Sequence, residues 1–190
     1  HKKLELCADR VQTPFVVSID NDDFLSAEGL ERAVSFLESN PNYSSSRGSL
    51  VGFNSNEYPS GAHHQDVISD WLTGDISDSR NLYHEFPNDI AGASAADRVI
   101  DQSAHFHGNW HNVVRSNHFK ATHKILSEVD PQGFRFTEQT IGFLSVVWGS
   151  SSRNDYEFIL HQHGTPRVVG CERLPPQANW ISEAGWPENF

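Results

Sequence analysis

The chain has 190 residues, 37% of them apolar and 21% charged, with five Trp and twelve Phe. That is enough hydrophobic bulk to bury the core of one domain and too much for a disordered polymer. A formal charge of -11 excludes broad binding to nucleic-acid phosphates or to an anionic lipid surface, since both need basic residues.

Leu4, Cys7, Ala8 and Val11 recur at helical spacing, so an amphipathic helix is expected to end before Thr13-Pro14. Phe15-Val16-Val17-Ser18-Ile19 is a short β-branched and apolar run, the pattern of a strand buried on both faces of a parallel sheet and ending at Asp20. Ser26 is positioned to cap a second helix with Leu30, Ala33, Val34 and Leu37 on its apolar stripe, closed by Asn40-Pro41. Helix, strand, acidic turn and helix make one α/β unit, and ligands of open α/β sheets bind beyond the carboxyl ends of strands.

From Ser44 to about Asp97 the composition predicts long loops and short helices, with Leu50-Val51-Gly52-Phe53 the one clear strand. His111 to Arg115 reads as a strand leading into a helix over Ser116 to Leu126. Thr137 is expected to cap a helix carrying Ile141, Leu144 and Trp148 on one face and Glu138 in its first turn. Tyr156, Phe158 and Leu160 alternate as a half-buried strand that runs into His161-Gln162-His163, and residues 171–190 form a tail without periodicity.

The acidic run Asp20-Asn21-Asp22-Asp23 sets three carboxylates within four residues, which repel unless a cation or solvent compensates. It reads either as a divalent-metal site or as a turn capping the next helix. A bound nucleotide is compatible with the acidic chain, because one metal ion supplies the local positive charge. His161 and His163 alternate, so both imidazoles fall on one side of an extended segment; they read either as a chelating pair or as surface residues. A denser group, His105, His107, His111, His118 and His123, and the pair His63-His64 with Asp66, match no closed zinc spacing and read as ordinary histidines.

Cys7 and Cys171 are far apart in the chain, so neither a disulfide framework nor a thiolate metal site is expected, and a reducing cytoplasm fits. There is no signal-peptide pattern and no apolar run of the about 18 residues that a membrane span needs. The chain opens with His1 and lacks Met, which points to a piece of a longer protein.

The run Phe15-Val16-Val17-Ser18-Ile19-Asp20-Asn21-Asp22-Asp23-Phe24-Leu25, preceded by Ala8-Asp9-Arg10-Val11-Gln12-Thr13-Pro14 and followed by Glu28-Gly29-Leu30 and Phe36-Leu37-Glu38-Ser39-Asn40-Pro41, carries a resemblance. It resembles the middle of GT-A-type, family-2-like bacterial glycosyltransferases of the surface-polysaccharide branch. The resemblance implies an α/β, Rossmann-like mixed sheet flanked by helices over residues 1–170, as a partial domain without the nucleotide-binding first half. It implies Mg²⁺ or Mn²⁺ held against a nucleotide-diphosphate sugar, with Asp20 near the donor sugar or ribose, Asp22 on the metal and Asp23 supporting the turn and substrate. Arg135-Phe136-Thr137-Glu138-Gln139 is similar to the family's acidic catalytic motif, with Gln139 in place of its second acid, which makes Glu138 the general base. His163, with His161 beside it, matches the histidine that returns to the metal or diphosphate. His107, Asn109 and Trp110 fall on the acceptor side, where they would contact sugar hydroxyls and a ring face. The expected activity is inverting transfer to a saccharide or other hydroxyl acceptor, and the alternative is a non-catalytic carbohydrate-binding or assembly module built on the same fold.

Overall fold

The computed structural model describes residues 1–21, 23–54, 83–84, 89–104, 109–131 and 134–163. In chain order these form α1 (Lys2–Asp9), β1 (Phe15–Val17), β2 (Phe24–Leu25), α2 (Ala27–Ser39), β3 (Tyr43–Asn54), β4 (Tyr83–His84), α3 (Ala95–Ala104), β5 (Val113–Arg115), α4 (Ser116–Val129), α5 (Phe134–Trp148) and β6 (Ser150–His163). The strands make one mixed sheet of order β1-β5-β3-β6-β2, with β4 alongside β3. The class is therefore α/β with a mixed sheet, and among the described residues no helix is long and apolar enough to cross a membrane.

The sheet is organised by β3 and β6, which run parallel from Tyr43↔Ser150 to Asn54↔His163. Phe158, Ile159 and Leu160 are successive residues of β6, and all three are buried. Because neighbouring strand side chains point to opposite faces, β6 is covered on both sides there. Helix α2 supplies one cover through Ala33 and Leu37, both fully buried and packed with Val113, Phe158 and Ile159. Gly29 lets α2 approach: a Cβ at that position would stand 2.4 Å from the Glu157 carbonyl oxygen. Where the two long strands begin, the interior is polar. Ser45 Oγ donates to Ser151 Oγ at 2.9 Å, and the Asn112 amide donates to both hydroxyls.

Helix ends are closed by specific groups, as their unpaired backbone groups require. Ser26 Oγ accepts from the Gly29 N–H at the start of α2, as expected. The Arg115 guanidinium donates to the Leu37, Asn40 and Tyr43 carbonyls at its end. Ser94 and Asp97 satisfy one another across the start of α3 in a reciprocal box. That helix had no counterpart in the sequence reading.

Several expectations are corrected. The strand at Phe15 is only three residues long and half-buried, and it pairs antiparallel with β5 at one end of the sheet order rather than lying inside a parallel sheet. The stretch from Tyr43 to Ser49 is strand rather than loop, because its serines bond inward to β6, Asn112 and α5. The helix carrying Glu138 begins at Phe134, so Thr137 does not cap it and Glu138 is its fifth residue. Phe136 and Thr137 are both buried, and that packing carries the helix a turn further upstream. The tail 171–190 lies outside the described residues.

Candidate metal centre

Two antiparallel pairings bring distant residues to one point. In the β2–β6 ladder Phe24 lies opposite Leu160. One step further sets Asp23 opposite His161, and Asp23 Oδ1 accepts a 2.7 Å hydrogen bond from His161 Nδ1. In the β1–β5 ladder Val17 lies opposite Val113. Past that point the two chains stay side by side, and His111 Nδ1 lies 3.1 Å from the Ser18 carbonyl oxygen. A carbonyl oxygen only accepts, so Nδ1 carries the proton and Nε2 turns its other side to the acidic turn.

That nitrogen stands 3.5 Å from Asp23 Oδ2 and 3.9 Å from Asp20 Oδ2. The Asp23 N–H reaches back to the Asp20 carbonyl at 3.3 Å, which closes the turn and holds both aspartates on the same side. One donor atom each from Asp23, His111 and His161 lies within 4.8 Å of the others. The Asp23 side chain is 0% exposed, that of His111 11% and that of His161 28%, so the carboxylate is buried and both imidazoles are largely covered. A buried carboxylate is costly unless it is paired, and here two imidazoles flank it. Two nitrogens and one carboxylate oxygen form a donor set that transition ions accept.

The predicted residues separate into distinct places. Asp23 and His161 meet in the cluster, and half-exposed Asp20 stands at its edge. Asp22 and His107 lie outside the described residues, as does the side chain of His163, whose backbone closes β6. Among the described side chains the cluster includes His161, which the resemblance sets beside His163. Asn109 is buried rather than turned to a substrate: its amide donates to Ser145 Oγ and the Gly142 carbonyl of α5, and its oxygen accepts from Arg153. Trp110 is half-buried and lines a cavity of about 30 Å³ with Ser18, Asn112, His118, His123 and Trp148. Glu138 is partly exposed on α5 and is not among the three clustered ligands.

The sequence does not single out His111 as a candidate ligand, because it sits in a histidine-rich tract with no zinc spacing. Its signal was positional: it precedes a strand whose partner ends in the acidic turn. The neighbours His118 and His123 are of another kind. Burial, with the Arg115 charge, pushes the His118 imidazole below its ordinary pKa, and burial brings His123 down to about 4.

Neither models of known protein families nor functionally curated proteins yield a match to this chain.

Proposed function

We propose that this chain is the metal- and acceptor-binding part of a GT-A-like glycosyltransferase, moving a sugar from a nucleotide-diphosphate donor to a saccharide or other hydroxyl acceptor with inversion. The observation that carries the reading is the convergence of the acidic turn on two imidazoles, through Asp23 on His111 and His161 and through Asp20 on His111. A buried carboxylate flanked by nitrogen donors fits a divalent cation, for which the family resemblance implies Mg²⁺ or Mn²⁺. When bound, such an ion neutralises charge on the leaving diphosphate. Asp20, half exposed at the cluster edge, accepts hydrogen bonds from donor hydroxyls, and Trp110 offers a ring face to the acceptor sugar. As the acceptor oxygen bonds to the sugar carbon, the bond to the diphosphate breaks and its electron pair leaves with the diphosphate. Glu138 takes the hydroxyl proton. The cytoplasm, which the cysteine usage suggests, is the compartment that fits this reading.

A second reading, a non-catalytic carbohydrate-binding or assembly module, is favoured by one observation: Glu138 lies inside α5 with Gln139 beside it, away from the helix terminus that would hold its anion. One experiment separates the two. The full-length protein that carries this chain is supplied with a panel of nucleotide-diphosphate sugars, MnCl₂ and saccharide acceptors, and transfer is followed with and without chelator. Transfer that the chelator abolishes, and that Glu138→Gln lowers by about 10²–10⁴-fold without moving the melting temperature, supports the enzyme. Saccharide binding with no turnover in either protein supports the module and sinks the transferase.

A further inference from the structure

We infer that Asp23, His111 and His161 select a transition ion, with Zn²⁺ and Co²⁺ bound above Mn²⁺ and Mn²⁺ above Mg²⁺. This goes beyond the glycosyl-transfer reading and stands without it, because it rests on the donor set alone.

Three features carry it. The first is donor chemistry: imidazole nitrogen suits Zn²⁺, Co²⁺ and Fe²⁺, whereas Mg²⁺ prefers oxygen and keeps much of its water. With two of three protein donors nitrogen, the set matches the two-histidine, one-carboxylate pattern of transition-metal sites. Spacing is the second. Two ligands each about 2.1 Å from one ion, at tetrahedral to octahedral angles, are about 3.0–3.4 Å apart. His111 Nε2 and Asp23 Oδ2 stand 3.5 Å apart, so an ion between them needs almost no rearrangement. The third is support behind the ligand. Metal-bound histidines donate their second ring N–H to a carbonyl or carboxylate, which fixes the ring and its tautomer. His111 already does this through Nδ1 and the Ser18 carbonyl. His161 joins the ion once its proton moves from Nδ1 to Nε2 and its 2.7 Å contact with Asp23 Oδ1 opens to the spacing of two ligands.

Among the described residues three donors are grouped, which leaves coordination positions for water or a ligand. The cluster is reached past His161, whose side chain is the most exposed of the three. A site with three protein ligands and open positions is the arrangement of catalytic rather than closed structural metal centres.

The test uses metal alone, without nucleotide or sugar. Chelator-treated protein is titrated with CoCl₂ while the visible absorption of bound Co²⁺ is recorded, and ZnCl₂, MnCl₂ and MgCl₂ are then used as competitors. We expect one Co²⁺ per chain, displaced by Zn²⁺, and a Mg²⁺ affinity at least about 100-fold lower than that of Co²⁺. His161→Gln, at the least buried ligand, is expected to weaken Co²⁺ at least about tenfold and change its spectrum, in metal-free protein that still unfolds cooperatively. Equal competition by Mg²⁺ overturns the inference. So does a Co²⁺ spectrum that is identical in wild type, His161→Gln and His111→Gln, since the ion would then sit on other histidines of the chain. Absence of sugar transfer bears on the earlier reading and leaves this result untouched.

Discussion

His111 and His118 stand on either side of β5, seven positions apart, yet they meet opposite surroundings. His111 faces two carboxylates and hydrogen-bonds the Ser18 backbone. His118 stacks on the Trp148 ring at 5.8 Å, and His123, one turn on, packs edge-on against Phe119 at 4.3 Å. The Nδ1 atoms of His118 and His123 have no hydrogen-bond partner among the described residues. One region sets two carboxylates against imidazole nitrogens, and the other buries its imidazoles against aromatic rings. The same side chain is therefore a candidate ligand in the first and a packing group in the second. What decides is the company kept, which histidine spacing alone does not encode.

The contrast is sharpened most by removing the carboxylate that the His111 and His161 imidazoles share. Asp23→Ala should reduce Co²⁺ or Zn²⁺ affinity by at least about 100-fold, more than the loss of an outer-shell partner causes. His123→Leu should leave it unchanged. Calorimetric titration of both variants checks this, and equal losses would dissolve the distinction between the two regions.

A smaller effect is expected from pH. The unfolded His123 takes up a proton near 6.5, whereas the folded side chain resists until about 4. Protons in that window bind the unfolded chain preferentially. The stability associated with neutral His123 is therefore fully present above pH 6.5 and is lost as pH falls through 4, on the order of 3 kcal/mol at the limit. Urea denaturation at pH 7, 5.5 and 4 should show this slope in wild type and a flatter one in His123→Leu. Parallel slopes would show that the region around His123 tolerates an imidazolium.

The smallest change is at the ring on which His118 stacks. Trp148 Nε1 donates to Thr122 Oγ1 at 3.2 Å. Trp148→Phe keeps an aromatic face but loses that bond, so a cost of about 1 kcal/mol is expected in thermal denaturation, with ion affinity unaffected. A shift in ion affinity would join the two regions into one.

Local elements were largely legible in the sequence, because the signals that form them are local. Ser26 and Asn40-Pro41 bracket α2, and Ser116 opens α4, as read. The partners of those elements were less legible. Phe15, Val16 and Val17 announce a strand, but nothing in the triplet says that β5 will pair with it antiparallel or that its other side will end the sheet order. That order follows from the long β3–β6 pairing, whose serines looked like loop. The acidic turn and His161 were legible as chemistry. His111 was not, because its role depends on the register between β1 and β5. Asn109 failed for a related reason: a polar residue beside a tryptophan looks like a sugar contact until α5 and Arg153 surround it.

The hydrogen bond between His161 and Asp23 spans 138 positions of the chain, and the pairing of β3 with β6 bridges more than a hundred. Contacts so remote in sequence require the largest loops to close, and such closure is slow relative to helix formation. The α2 segment is able to form early, whereas the candidate ligand set is complete only when β6 has docked between β3 and β2. Ion uptake during refolding is therefore expected to report the arrival of the last strand. Since an ion that binds only the finished arrangement stabilises the native state by mass action, its presence would also slow the departure of that strand and with it the opening of the whole sheet.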